Sequence, residues 1–348
     1  MSLTFEKETI EEIQSMLTNA NNIVLVSHTN ADGDAVGSVL GMYHMLKKNV
    51  PGNKDITMIL PNGCPFTFDF LPDSSLILNA DNEPERCRAA FATCDLIIGV
   101  DFNVANRVGS LEQSLTNAKA RKLLVDHHIN PDTQLFNTIV SMPHIAATCE
   151  LLYWLGTALW GKDMLDKNIA TCLYNGIMTD TGSFAFSNNQ PNVYEAAARL
   201  VEQGINATEI HNNVMNSWSV NRMRFLGFCL DQRMHIFEED KFAYMVVKHE
   251  DMQRYNIKNA ELETLVNYVM MMQNVLMGAL VKEYDPNNIR ISFRSKGDVD
   301  VQQLAARHYG GGGHRNASGA TSTKDLATTV CEMESLMRQE MKKYRQQD

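Results

Sequence analysis

"NNIVLVSHTNADGDAVGSVLGMYHMLKK", residues 21–48, passes from a β-branched apolar run through a loop bearing His28, Asp32 and Asp34 into a segment with helical apolar spacing. The acids therefore sit in a strand-to-helix loop. The pattern recurs to about residue 126: "DITMIL", "CDLIIGVD" and "KLLVDHH" are apolar runs separated by helical stretches such as 85–92 and 103–118. Such alternation predicts an α/β fold with a doubly wound, mainly parallel sheet covered by helices on both faces. "TCELLYWLGTALW" (148–160) and "DKNIATCLYNGIM" (166–178) read as buried helices. From about residue 231 the rhythm changes: "QRMHIF", "KFAYMVVK", "NVLMGALVKEY" and "NIRISFRS" are strand-like, with helices near 260–270 and 300–308 and a charged terminal helix over 324–345. This second part is expected to be a smaller α/β domain. The boundary is placed within 215–230, giving domains 1–220 and 221–348.

A chain of 348 residues suits two domains. Apolar residues at 44% and charged residues at 21% are globular values. No run approaches the ~20 apolar residues of a membrane helix. The acidic, amphipathic start lacks the basic region and apolar block of a signal peptide, so a cytoplasmic protein is expected. Seven cysteines form no C-x-x-C pair and are read as core thiols. Twenty methionines, including the "VMMMQN" run that begins at residue 269, are read as core filling. The net charge of −10 argues against a basic face tracking a long duplex. It leaves room for a small anionic substrate where cations and a few arginines make one positive site.

Any one of the acids has a plain structural use, since Asp32 or Asp34 can cap the helix that follows. Their joint placement is harder to explain that way. "LIIGVD" stops at Asp101 and "KLLVDHH" at Asp126, His127 and His128. In open α/β sheets ligands bind at the carboxyl ends of strands, where the 28–34 loop also lies. "MTDTGSF" adds Asp180 beside small residues. So many carboxylates in one place repel and raise each other's pKa unless cations neutralise them. Mixed imidazole and carboxylate donors suit Mn²⁺ or Fe²⁺, with Zn²⁺ and Co²⁺ also acceptable. Two ions about 3.5–4 Å apart sharing a carboxylate would clamp a phosphoryl group and activate water. Further on, Gly310 to Gly313 with His314 and Arg315 form either a flexible turn or a backbone that faces an anion. Arg290 and Arg294 share one strand face, which favours a phosphate-reading surface.

"HTNADGDAVGS", "GVDFN", "VDHH" and "TDTGSF", in this order, resemble the four motifs of the DHH phosphoesterase superfamily, and "GGGGHRNASGA" (310–320) resembles the signature of its associated C-terminal domain. The compact two-domain layout resembles the bacterial nanoRNase and pAp phosphatase group, RecJ-like enzymes that trim very short oligonucleotides and dephosphorylate adenosine 3′,5′-bisphosphate. The resemblance implies two Mn²⁺ per chain, with Mg²⁺ or Co²⁺ as substitutes. His28, Asp32 and Asp101 would hold one, and Asp34, Asp101, His127 and Asp180 the other. His128 would face the scissile phosphate, Asp126 would orient the histidine pair, and Asp101 would bridge. Arg294, Gly311, Gly312, Gly313, His314 and Arg315 would bind substrate, with the active site in an interdomain cleft. Ala31 departs from the proline that relatives often carry before the first aspartate, at a cost in loop rigidity. Short single-stranded oligonucleotides and nucleotide bisphosphates are the implied partners, with no long duplex and no membrane; a homodimer is left open. A standalone cyclic di-AMP or pApA phosphodiesterase is the alternative enzyme, and a non-catalytic nucleotide-binding regulator the alternative of another class.

Overall fold

The structure, a computed structural model, describes residues 3–185, 190–262, 264–285 and 287–345. It contains two compact units, Met1–Ser217 and Trp218–Asp348. The first runs α1 (Lys7–Asn19), β1 (Asn22–Val26), α2 (Gly33–Asn49), β2 (Asp55–Leu60), β3 (Leu78–Asn79), α3 (Pro84–Thr93), β4 (Leu96–Val100), α4 (Glu112–Asn117), β5 (Arg121–Asp126), β6 (Thr138–Ser141), α5 (Thr148–Trp160), α6 (Lys167–Asp180), α7 (Pro191–Val201) and α8 (Ala207–Met215). Its six strands are parallel, in the order β3-β2-β1-β4-β5-β6. Strand order reverses between β1 and β4, so the loops leaving those two neighbours open a crevice at the sheet's carboxyl edge.

The apolar runs are continuous because both faces are covered. In β1, Ile23 and Leu25 join a core with α2, α5 and α6, while Val24 and Val26 face a second core with Cys87 and Phe91 of α3 and Leu115 of α4. The stretch 103–118, expected as one helix, is a 3₁₀ turn over Ala105–Leu111 followed by the short α4. Gly109, at φ +53°, breaks the helical path within the 3₁₀ stretch. The short edge strands β3 and β6 had no clear sequence signal, being two and four residues long.

Glycines set how closely the helices pack. Gly33, Gly37 and Gly41 recur every fourth residue on α2 and face α6. A Cβ on Gly37 would lie 2.6 Å from the Cys172 carbonyl oxygen, and one on Gly33 would lie 2.4 Å from the Thr179 side chain. Gly176 of α6 answers them: a Cβ there would lie 2.2 Å from Cys149 Sγ and 2.7 Å from Asp34 Oδ1. Three helices thus meet at near-backbone distance around Asp34.

The second unit comprises α9 (Val220–Gln232), β7 (Met234–Phe237), β8 (Phe242–Val247), α10 (His249–Tyr255), α11 (Leu265–Met270), β9 (Met277–Asp285), β10 (Asn288–Ser295), α12 (Val301–Tyr309), β11 (Gly312–His314), β12 (Ala317–Ser322) and α13 (Leu326–Arg345). The sheet order is β11-β12-β10-β9-β8-β7, with β8 and β9 parallel and the other pairs antiparallel. One face packs on Met333, Met337 and Met341 of α13, and the other on α9 to α11. The methionine reading holds for that stripe but not for Met271, which is 73% exposed. Nor are all the cysteines core thiols: Cys64 and Cys94 are half-buried and Cys331 is exposed. No described helix is long and apolar enough to cross a membrane.

The tight seam makes a testable contrast. Gly37→Ala pushes a methyl against backbone and is expected to cost about 1–3 kcal/mol, as overpacking does. Gly227→Ala, in exposed helix with nothing within 4 Å, is expected to stabilise by up to about 1 kcal/mol. Thermal unfolding of both variants checks the signs.

Candidate metal centre

Strand β1 ends at Val26, and the chain turns through His28 to Asp32, which caps α2. Asp32 Oδ1 accepts from the amides of Asp34 and Ala35, both at 3.0 Å. Its other oxygen remains for the cluster, so the capping use and a ligand use coexist on one side chain. Asp34, in the first turn of α2, is buried; its oxygens accept from the Thr148 amide at 2.6 Å and the Cys149 amide at 2.9 Å. Both are at the start of α5, whose positive dipole end suits an anion.

Asp101 follows β4 at φ +62°, a left-handed conformation that a non-glycine residue rarely adopts and that clusters at functional sites. Its amide donates to the Val125 carbonyl, and its Oδ1 accepts from Thr148 Oγ1 at 3.0 Å. The sequence reading missed Thr148, whose amide and hydroxyl hold two of the aspartates; nothing in its spacing marks it.

Around Asp101 the nitrogen donors converge. His28 Nε2 lies 3.4 Å from Asp101 Oδ2, His127 Nε2 lies 3.5 Å from Asp101 Oδ1, and the same His127 nitrogen lies 3.4 Å from Asp180 Oδ2. Three overlapping groups result: His28, Asp32 and Asp101; Asp34, His127 and Asp180; and Asp101, His127 and His128, each with its donor atoms within 4.8 Å of one another. Asp101 belongs to two of them. At 3.4–3.5 Å these are long, weak hydrogen-bonding contacts, and the spacing also suits donors arranged around a common ion. His28 Nδ1 lies 2.8 Å from the Thr29 carbonyl and His127 Nδ1 lies 3.1 Å from the Ile145 carbonyl. Each ring therefore donates from Nδ1 and presents Nε2 to the cluster, as metal-ligating histidines do. The donor set fits a divalent cation.

The histidine pair is not oriented jointly by Asp126, as the sequence reading had it. Asp126 Oδ1 accepts from His128 Nδ1 at 2.7 Å, whereas His127 takes its orientation from the Ile145 carbonyl. Asp126 is fully buried and its Oδ2 has no hydrogen-bond partner among the described residues.

Burial, then the Asp101 charge, pushes Asp34 up to about 7. Burial and the charges of Asp34, Asp32 and Asp101 push Asp180 well above the carboxylate range. Burial also opposes charge on Asp101, but the His28 hydrogen bond and the charges of His28, His127 and His128 outweigh it and leave this carboxyl at about 2. Burial disfavours the imidazolium of His28, yet its bond to Asp101 and the charges of Asp32 and Asp101 hold it up at about 9. Without a cation, the cluster compensates by retaining protons.

The remaining predicted residues lie in the second unit. Arg290 and Arg294 share a face of β10, opposite Ile289, Ile291 and Phe293, which are buried. Arg294 Nη1 donates to the Phe293 carbonyl at 3.0 Å, and Arg315 is tied to Asp298 through its carbonyl at 2.9 Å and its carboxylate at 3.1 Å. His314 is exposed. The glycine run is not a flexible turn. Gly310 caps α12 at φ +62°, and a Cβ on Gly311 or Gly313 would lie 2.2 or 2.5 Å from carbonyl oxygens of β12. Gly312, in β11, has open space at its Cβ position.

Two family profiles match the chain: the DHH family N-terminal domain over residues 22–177 and the DHHA1 domain over residues 239–343. The bifunctional oligoribonuclease and PAP phosphatase NrnA of Mycoplasma genitalium is 28% identical over 93% of this chain and 96% of its own. A crystal structure of an exopolyphosphatase-related protein from Bacteroides fragilis is 30% identical, covers 99% of this chain and 98% of its own, and superposes with a TM-score of 0.92. A manganese-bound exonuclease RecJ shares the fold at 13% identity, with a TM-score of 0.55 over 97% of this chain and 95% of its own.

The proton balance makes a prediction. Asp34 and Asp180 have raised folded pKa values, so their ionisation opposes folding, and stability is lost as pH rises from about 4 through the folded values. His28, also raised, contributes stability that is full below about 6.5 and lost as pH rises through about 9. Metal-free protein is therefore expected to unfold at lower temperature at about pH 8.5 than at about pH 5.5, and a divalent cation should restore more stability at the higher pH. Asp34→Asn should flatten the metal-free profile. Thermal melts with and without chelator measure it.

Proposed function

Because this chain belongs to the DHH phosphoesterase superfamily, with a DHH domain followed by a DHHA1 domain, we propose that it is a divalent-metal-dependent hydrolase of very short oligoribonucleotides, acting 3′ to 5′, and of adenosine 3′,5′-bisphosphate. The observation that carries this reading is the gathering of Asp32, Asp34, Asp180, His28 and His127 around Asp101, with Nε2 of His28 and of His127 turned inward. The substrate class is that in the name of the Mycoplasma genitalium relative, matched along nearly its whole length.

In this reading His28, Asp32 and Asp101 hold one Mn²⁺, and Asp34, Asp101, His127 and Asp180 hold a second, Mg²⁺ or Co²⁺ being substitutes. Bound there, the cations supply Lewis acidity toward the phosphoryl group and lower the pKa of water. The chain's own residues do the rest. Asp101, held by the Thr148 hydroxyl, would be common to both sets. Asp126 holds the proton on His128 Nδ1, which leaves Nε2 for the reacting groups. Hydrolysis forms a bond from water oxygen to phosphorus and breaks the bond to the leaving oxygen. His128 Nε2 accepts the proton that water gives up and returns it to the leaving oxygen. In the second unit Arg294, His314 and the Gly311 to Gly313 strand bind substrate phosphate or sugar, Gly312 having the open backbone. Arg315 assists while paired to Asp298.

The deciding experiment is a product time course with Mn²⁺ on adenosine 3′,5′-bisphosphate, pApA, RNA of two to ten nucleotides, cyclic di-AMP and pyrophosphate. Release of mononucleotides from the shortest RNA, with phosphate from the bisphosphate, is expected. Preference for cyclic di-AMP would move the assignment to a cyclic-dinucleotide phosphodiesterase, and binding without turnover to a regulator.

Two variants test the residue roles. Asp101→Asn should weaken binding of both ions in calorimetric titration, and loss of one alone would remove its bridging role. His128→Ala should retain metal while turnover falls by about 10²- to 10⁴-fold, the range for losing an acid–base or charge-stabilising group. Loss of a metal from this variant would make His128 a ligand.

Arg294→Ala should leave metal binding unchanged and cost about 1.5–3 kcal/mol in kcat/KM on nucleotides, the value of a hydrogen bond to a charged group. On a minimal phosphodiester the defect should be small. An equal defect on both would assign Arg294 to the chemical step or the fold.

A further inference from the structure

Directly after Asp180 the chain makes a turn whose backbone enters the left-handed region three times in succession, at Gly182 (φ +54°), Ser183 (φ +59°) and Phe184 (φ +64°). Glycine adopts this freely, but serine and phenylalanine do not. Surrounding contacts impose it. The Ser183 amide donates to the Met178 carbonyl at 2.7 Å, the Phe184 amide to Thr181 Oγ1 at 3.0 Å, and the Ser183 hydroxyl pairs with His211 Nδ1 at 2.8 Å. Strain held by so many contacts is found where position matters to function.

The strained turn presents the Phe184 ring. Its inner neighbour is Tyr174 of α6, with ring centroids 6.0 Å apart and tilted by 50°. Its outer neighbour is Tyr194, in the first turn of α7, with centroids 5.9 Å apart and planes within 25° of parallel. Tyr194 is 48% exposed. The three rings therefore form a ladder that ends at the half-exposed Tyr194. Phe184 follows Asp180 by four residues, a span of at most ~14 Å even if extended. The ladder is thus tethered to the cluster that would hold the scissile phosphate.

We propose that Tyr194, backed by Phe184, is the stacking platform for a nucleobase of the substrate. This rests on the phosphoesterase reading above and adds how a base, as distinct from a phosphate, is held. Every base offers a π face, so such a platform tolerates sequence differences, as a scavenger of mixed short fragments requires. It also favours nucleotides over compounds with phosphate alone.

The test titrates the full-length protein with a dinucleotide that carries 2-aminopurine and a charged, uncleavable methylenephosphonate linkage. Stacking quenches 2-aminopurine fluorescence. Wild type is expected to quench it, Tyr194→Ala to bind about 5- to 100-fold more weakly without quenching, and Tyr194→Trp to restore both. A matching dinucleotide analogue that is abasic at the probed position should bind wild type and Tyr194→Ala equally. Quenching that survives in Tyr194→Ala, absence of quenching by wild type, an equal loss with the abasic analogue, or failure of Tyr194→Trp to restore binding would each overturn the platform. Tyr194-dependent quenching by a protein that hydrolyses no dinucleotide would instead sustain the platform and overturn the enzymatic reading.

Discussion

The first unit depends on how closely α2 can approach α5 and α6. Three glycines on α2 and one on α6 remove the side chains that would hold these helices apart. The resulting seam places the Asp34 carboxylate on the first amides of α5. A Cβ on Gly176 would contact the Asp34 carboxylate itself, so a larger residue there would disturb the cluster and the packing together. Close helix packing and acid placement are therefore one constraint.

That constraint carries an electrostatic cost. The four aspartates lie close enough to repel each other, and burial further penalises the charges of Asp34, Asp101 and Asp180, while Asp32 is exposed. The fold meets part of this with local donors: α5 amides on Asp34, a threonine hydroxyl on Asp101 and the cap amides on Asp32. The histidines supply more, since His28 is held protonated up to about 9 in the absence of a cation. A cation would take over from these protons, which links ion binding to stability and to pH through the same groups. The left-handed backbone of Asp101 shows that its aim toward both donor groups takes precedence over local conformational preference.

In the second unit the same residue type does different work at adjacent positions. Gly310 ends a helix, Gly311 and Gly313 let the chain lie close on β12, and Gly312 has open space at its Cβ position. A run that looks uniform in sequence is three kinds of site.

The alternation of apolar runs and helical stretches was enough to determine a parallel α/β unit and a smaller α/β unit after it, because strand and helix periodicities are local properties of the chain. The acids could be named from sequence for a related reason: His28, Asp32, Asp34, Asp101 and Asp126 to His128 stand where apolar strands stop, and parallel strands align their carboxyl ends. Periodicity could not reveal β12, whose small residues form a strand through pairing with β10. Nor could it reveal the split of 103–118 at Gly109, or the exposure of Met271, since a side chain's burial depends on what packs over it. Tertiary structure alone decided that Asp126 serves His128 while Ile145 serves His127, that Thr148 joins two aspartates, and that Phe184 stacks on Tyr194. Each of these depends on a contact between elements, at a distance and angle fixed by packing, and sequence spacing encodes neither.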